Sequence, residues 1–166
     1  HELIPDMVSM GKPMGNGYPL AGLALKPETI AEFGVKSRYF NTFGGNAVAA
    51  AVGLAVLDVI RDEGLQQNAA TVGKALADGL RSLAQRHDAL GETRAAGLFI
   101  GQTIQSNGRP DPARTAHLVN ALRDNRILIS STGPQGDSLK IRPPLPFGLA
   151  HVDQFLTTLD RLLPSI

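Results

Sequence analysis

No cysteine occurs among the 166 residues. This excludes disulfides, thiolate nucleophiles and zinc sites built on thiolates. Tryptophan is absent too, and six Phe and two Tyr make up the whole aromatic complement. No basic patch is visible: 16 Lys and Arg stand against 15 Asp and Glu, and they are scattered, for a net charge of +1. An electrostatic nucleic-acid binder needs such a patch, so that class is set aside. No apolar run approaches the roughly 20 residues of a membrane span. Internal repeats and low-complexity segments are missing as well. The four histidines, His1, His87, His117 and His151, stand far apart without metal-ligand spacing, and surfaces or helix ends are expected for them. No metal site is expected. There is no initiator Met, so the chain is expected to be a piece of a longer one, with any targeting segment upstream. A cytoplasmic location is the expectation.

What is present is an ordinary globular composition, 43% hydrophobic and 19% charged, with length enough for one domain or two small lobes. Short apolar runs at 7–10 and 20–25, bounded by Gly and Pro, read as buried strands around a turn. "KPETIAEF" reads as a short helix with Pro27 in its first turn. "SRYFNTFGGN" is a loop holding three of the eight aromatics. From Ala47, "AVAAAVGLAVLDVIRDEG" predicts a helix apolar on nearly every side, capped by Asn46 and ended by Gly64. Such a helix needs cover from other protein. A second helix is predicted over 65–86, with Ala69, Val72, Leu76, Leu80 and Leu83 as its buried stripe. "GLFIGQTI" then reads as a strand, "QSNGRP" as a turn, and "DPARTAHLVNALRDN" as a helix with Asp111 as N-cap and Pro112 at N1. "RILIS" and "LKIR" read as two further strands, joined by "STGPQGDS". A last helix from about His151 buries Val152, Phe155, Leu156, Leu159 and Leu163, with Asp153 near its start. The pattern is an α+β lobe with a small, largely antiparallel sheet covered by helices.

The segment "SMGKPMGNGYPLAG", residues 9–22, carries one charge, Lys12, among four glycines and two prolines. Two readings fit the residue types. Lys12 is either a solvated turn residue or a nucleophilic amine held in a stiff turn with room for a bulky electrophile. A lysine attacks a carbonyl only as the neutral amine, which desolvation or a nearby cation makes available.

"PDMVSMGKPMGNGYPLAG", followed by "YFNTFGGNAVAAAVGLAVLDVI", resembles the class III family of pyridoxal-phosphate (PLP) aminotransferases. The likeness continues through "AAGLFIG" to "LKIRPPLPF" and so runs along the whole chain. It implies the C-terminal part of the PLP-dependent transferase fold, α/β and α+β. Residues 1–46 would then be the end of the large cofactor domain, 47–64 a long connecting helix, and 65–166 the small α+β domain. It implies that Lys12 forms the Schiff base with the cofactor and serves as base for the substrate proton. Thr42 would hydrogen-bond the cofactor phosphate across the subunit boundary of a homodimer. The family's pyridine-nitrogen carboxylate, phosphate loop and ring-stacking aromatic would all precede His1, leaving the fragment alone inactive. The activity implied is amino transfer from an amino acid or amine to a 2-oxo acid. A non-catalytic dimerisation or docking domain is the alternative from another class, and the pairing of Lys12 with Thr42 argues against it.

One position departs from the family pattern. Where many class III aminotransferases carry an arginine three residues before "PPL", this chain has Lys140. Arg142 lies two residues on, hence on the same strand face. The two are either solvated cations on an edge strand or binders of an anionic substrate group. A lysine does not reproduce the bidentate fork of an arginine. With "STGP" ahead of it, Lys140 resembles the ethanolamine-phosphate phospho-lyase side of an alanine–glyoxylate aminotransferase/phospho-lyase branch. That branch implies elimination of phosphate from a phosphorylated amino alcohol.

Overall fold

A computed structural model describes residues 2–165, so the expectation for His1 lies outside the described residues. The chain divides into two compact units, residues 1–63 and 64–166.

In the first unit, β1 (Met7–Met10) and β2 (Gly22–Leu25) pair antiparallel with Met7 opposite Leu25. A 3-10 turn, Pro13–Gly15, lies between them. The helices α1 (Pro27–Lys36) and α2 (Ala47–Asp62) follow. Lys26 closes the hairpin, its backbone N–H donating to the Asp6 carbonyl and its ammonium pairing with the Asp6 carboxylate at 2.7 Å. The expectation of buried strands is corrected here: all four β1 residues are exposed, and Leu23 of β2 is 57% exposed. The strands are apolar, but two strands and two helices supply no layer to cover them. Within residues 2–63 only Gly15 and Ala49 are buried. Asn46 caps α2, its side chain accepting from the Ala49 N–H at 2.9 Å. Gly64 at φ 60° ends the helix in the left-handed conformation that favours glycine. Along α2, Val48, Leu54, Leu57 and Val59 remain 48–63% exposed.

The second unit holds a proper core. Helices α3 (Leu65–Ala84), α4 (Pro112–Asp124) and α5 (Leu149–Leu162) accompany a sheet of β3 (Leu90–Ala96), β4 (Phe99–Ser106), β5 (Arg109–Pro110), β6 (Ser130–Thr132) and β7 (Ser138–Ile141). The order is β3-β4-β7-β6, with β5 pairing β4, and every pairing is antiparallel. The expected stripe of α3 lies in the core through Val72, Leu76, Leu80 and Leu83, with Ala69 packed beside it. From the sheet come Ile100, Ile104, Leu139 and Ile141, and from the remaining helices Leu118, Leu122, Val152, Phe155 and Leu159. Asp111 caps α4 by accepting from the Arg114 N–H at 2.8 Å. Asn107 and Gly108, at φ 51° and 73°, make the two-residue turn between β4 and β5.

Several sequence expectations shift. β3 was not foreseen. "RILIS" enters the sheet only at Ser130, because Arg126 (φ 64°) reverses the chain and Ile127 donates its N–H back to the Leu122 carbonyl. β7 lies between β4 and β6, so Lys140 is on an interior strand and not an edge. α5 begins at Leu149, which places Asp153 in its second turn. His151 does sit at that helix start, its Nδ1 accepting from the Gly148 N–H.

His87 is not isolated. Its Nε2 lies 2.6 Å from Asp160 of α5, and Arg86 donates to the other carboxylate oxygen at 3.0 Å. The His87 hydrogen bond, then that of Arg86, holds the Asp160 carboxyl below its ordinary value. A depressed carboxylate stabilises the fold above its unfolded pKa, near 3.9, and loses that contribution as pH falls through the folded value. Asp160→Asn is therefore expected to lower the thermal midpoint at neutral pH, with the gap to the parent closing in acid. Melts across a pH series check this, and a gap unchanged below about pH 3 contradicts it.

Candidate active site

Lys12 opens the 3-10 turn between β1 and β2, at φ 25° and ψ −49°. Positive φ is uncommon for any side chain with a Cβ and costs on the order of 1–3 kcal/mol. The turn absorbs this by its own hydrogen bonds: Asn16 donates to the Pro13 carbonyl and Tyr18 to the Gly15 carbonyl, both at 3.0 Å. Pro13 fixes φ just after the lysine, and Gly15 is buried where a Cβ would press on Leu20 and Tyr18 at 3.2 Å. The Lys12 side chain is exposed, and no carboxylate or hydrogen-bond acceptor among the described residues meets its ammonium.

Thr42 stands in the loop that leads into α2. Asn41 ties that loop down, its Oδ1 accepting from the N–H groups of Phe43 (3.1 Å) and Gly44 (2.9 Å). At the other end Asn46 donates to the Phe43 carbonyl at 2.8 Å. The loop is thus fastened on both sides of Thr42, whose exposed hydroxyl has no partner among the described residues. Lys12 and Thr42 belong to the same unit, on separate turns, and no hydrogen bond joins them.

Lys140 and Arg142 belong to the other unit. As the spacing of two predicts, Lys140 and Arg142, the latter just past the end of β7, share a face, while Leu139 and Ile141 alternate with them into the core. Both line a cleft of about 660 Å³ bounded by the 126–130 segment, the end of β7, Pro143, Pro144 and the first turns of α5. Arg126, His151 and Gln154 line it as well. Sequence reasoning missed Arg126 and His151 as neighbours of the strand cations; only the fold brings residues 126, 140 and 151 together. No carboxylate among the described residues pairs with Lys140 or Arg142. Uncompensated cations in a cleft favour an anionic guest. The Arg142 guanidinium instead faces the Phe99 ring, 5.4 Å from its centroid.

A primary amine and a hydroxyl, each fixed on a stapled turn and each without a partner, suit an aldehyde and a phosphate oxygen. The donor set therefore fits PLP.

Comparison with known proteins gives these features a lineage. The model of the family described as aminotransferase class-III matches residues 1–163. Alanine–glyoxylate aminotransferase 2 homolog 2, mitochondrial, of Arabidopsis thaliana is 39% identical over 163 residues, 96% of this chain and 34% of its own length. Ethanolamine-phosphate phospho-lyase homolog 1 of Caenorhabditis elegans is 38% identical over 164 residues, 96% of this chain and 35% of its own length. The solved structure of a phospholyase from Arthrobacter in complex with phosphoethanolamine superposes at a TM-score of 0.95. It is 42% identical, covering 99% of this chain and 40% of that one. The chain thus spans about a third of the length of the curated relatives it matches. With its fold shared along essentially its whole length and residues 1–163 matched by the family's model, the chain belongs to the class III aminotransferases.

Proposed function

We propose that this chain contributes Lys12 and Thr42 to the cofactor site, and Lys140 and Arg142 to the substrate site, of a PLP-dependent aminotransferase that works as a homodimer. The observation that carries the reading is Lys12: an unpaired amine at positive φ in the turn of the "GKPMGNG" motif. When bound, PLP supplies an aldehyde carbon for attachment to Lys12 and a conjugated ring that withdraws electrons from the substrate's reacting carbon. Lys12 Nζ would anchor the cofactor and, once the substrate's amine displaces it, its lone pair would move the proton off the substrate's reacting carbon. The Thr42 hydroxyl donates to a phosphate oxygen, an interaction worth about 1.5–3 kcal/mol because the acceptor is charged. Lys140 and Arg142 hold the substrate's anionic group. The apolar surface of α2, without cover in its own unit, supports the dimer.

A second reading, PLP-dependent phospho-lyase, is favoured by one position. Lys140 stands where many aminotransferases have arginine, and a point charge suits a phosphate dianion better than it suits a carboxylate clamp. The similarity to the Arthrobacter phospholyase supports it as well. The test is to assay the full-length protein for amino transfer from L-alanine to glyoxylate, and separately for phosphate release from phosphoethanolamine. For a transaminase, Arg142→Ala is expected to raise KM about ten-fold or more, the worth of one charged hydrogen bond, while Lys140→Ala does little. For a phospho-lyase the larger loss falls on Lys140→Ala. Phosphate release without amino transfer overturns the first reading in favour of the second.

A further inference from the structure

The antiparallel register of β4 and β7 sets Ile100 opposite Ile141 and Gly101 opposite Lys140. One step further along the same ladder, Phe99 falls opposite Arg142, and the guanidinium lies over the ring. Phe99 is an unusual choice for that place. It is 60% exposed, its partner on β3 is Ala96, and the residue beside it across from Lys140 is Gly101. A ring so exposed contributes little by burial. Its aromatic contact is with a cation that lines the cleft, whereas Phe99 itself does not line it.

The manner of holding matters. A carboxylate partner would occupy the in-plane N–H donors of Arg142 and cancel its charge. A ring engages the flat face of the guanidinium and leaves the donor edge free for a bidentate anion. We propose that Phe99 is a positioning residue: its ring holds the Arg142 guanidinium from outside the cleft, with its donors and charge kept for the substrate's anionic group. This rests on the functional reading in which Arg142 binds that group. The β3–β4 turn at Gly97, where α3 approaches too closely for any side chain on Gly73, fixes the start of β4 and hence the ring.

The test uses the full-length protein with L-alanine plus glyoxylate and with phosphoethanolamine as probes. Four variants are compared: Phe99→Leu, Phe99→Tyr, Arg142→Ala and the double Phe99→Leu/Arg142→Ala. Phe99→Leu keeps an apolar strand residue but removes the ring, and is expected to raise KM roughly two- to fivefold with a smaller change in kcat. Phe99→Tyr keeps the ring and should hold KM near the parent value. In the Arg142→Ala background the Leu substitution should add nothing, because the ring then has no cation to place. Equal KM increases in both backgrounds would mark Phe99 as merely structural and overturn the inference. So would a silent Phe99→Leu beside an Arg142→Ala that raises KM. A silent Arg142→Ala, or no turnover of either amine, is a different failure: it overturns the functional reading, and the inference falls with it.

Discussion

Replacing Lys12 by alanine is expected to remove essentially all turnover from the full-length protein, a loss on the order of 10⁴-fold or more. In the proposed function the amine has two tasks, covalent anchoring and proton transfer, and no other group takes over either when it is gone. Lys12→Arg should be as inactive, since a guanidinium keeps the charge but is never a neutral nucleophile. Backbone strain offers an independent readout. At φ 25° the lysine sits where glycine is preferred, so Lys12→Gly should be inactive yet more stable than Lys12→Ala, by about 1 kcal/mol or more. Stability given up at the position that carries the chemistry is the pattern expected of a functional residue. Steady-state rates and thermal midpoints of the three variants check both halves. Near-parental activity in Lys12→Ala would refute the assignment.

The second large effect is structural. Gly73 of α3 lies against the turn that joins β3 to β4: a Cβ there would come within 2.9 Å of Gly97 Cα and closer still to its carbonyl. These are backbone atoms, so helix and hairpin must separate to admit a side chain. Gly73→Val is expected to destabilise the fold by at least about 2 kcal/mol, in the upper range of overpacking. Gly34 in α1 provides the contrast. A Cβ there meets nothing within 4 Å, so Gly34→Ala should be neutral or stabilising by up to about 1 kcal/mol. Urea midpoints at constant slope measure both. A Gly73→Val variant as stable as the parent would contradict the packing described for α3.

How far the sequence reveals this structure follows from where each signal resides. α2, α3 and α4 were legible because their caps and stripes are local: Asn46, Gly64, Asp111 and Pro112 sit within the elements they bound. β3 was not, because "LGETRAA" is an edge strand. It buries only Leu90, slips register between Leu90 and Thr93, and ends in two alanines. "RILIS" misled in the opposite sense. Ile127 and Ile129 pack against the core before the ladder begins, whereas Leu128 is 91% exposed. The burial expected of β1 and β2 failed because burial depends on what covers a strand, which its own sequence does not record.

The site divides in the same way. The motif around Lys12 pointed to the residue, while its positive φ appeared only in three dimensions. The shared face of Lys140 and Arg142 followed from the period of a strand. The neighbours Arg126, His151 and Phe99 did not. Phe99 and Arg142 are brought together by register, set through a core that buries Ile100, Leu139 and Ile141. No local pattern in "GLFIGQTI" or "LKIR" announces that pairing.

One measurement addresses the proposed role of Lys12 as covalent anchor directly. The full-length protein is loaded with PLP, reduced with borohydride, digested, and the modified peptide sequenced by mass spectrometry. The chain offers five lysines, Lys12, Lys26, Lys36, Lys74 and Lys140. The predicted result is one reduced pyridoxyl phosphate on Lys12 and no adduct on the other four. An adduct on any of those four in place of Lys12, or none in this chain, would contradict it.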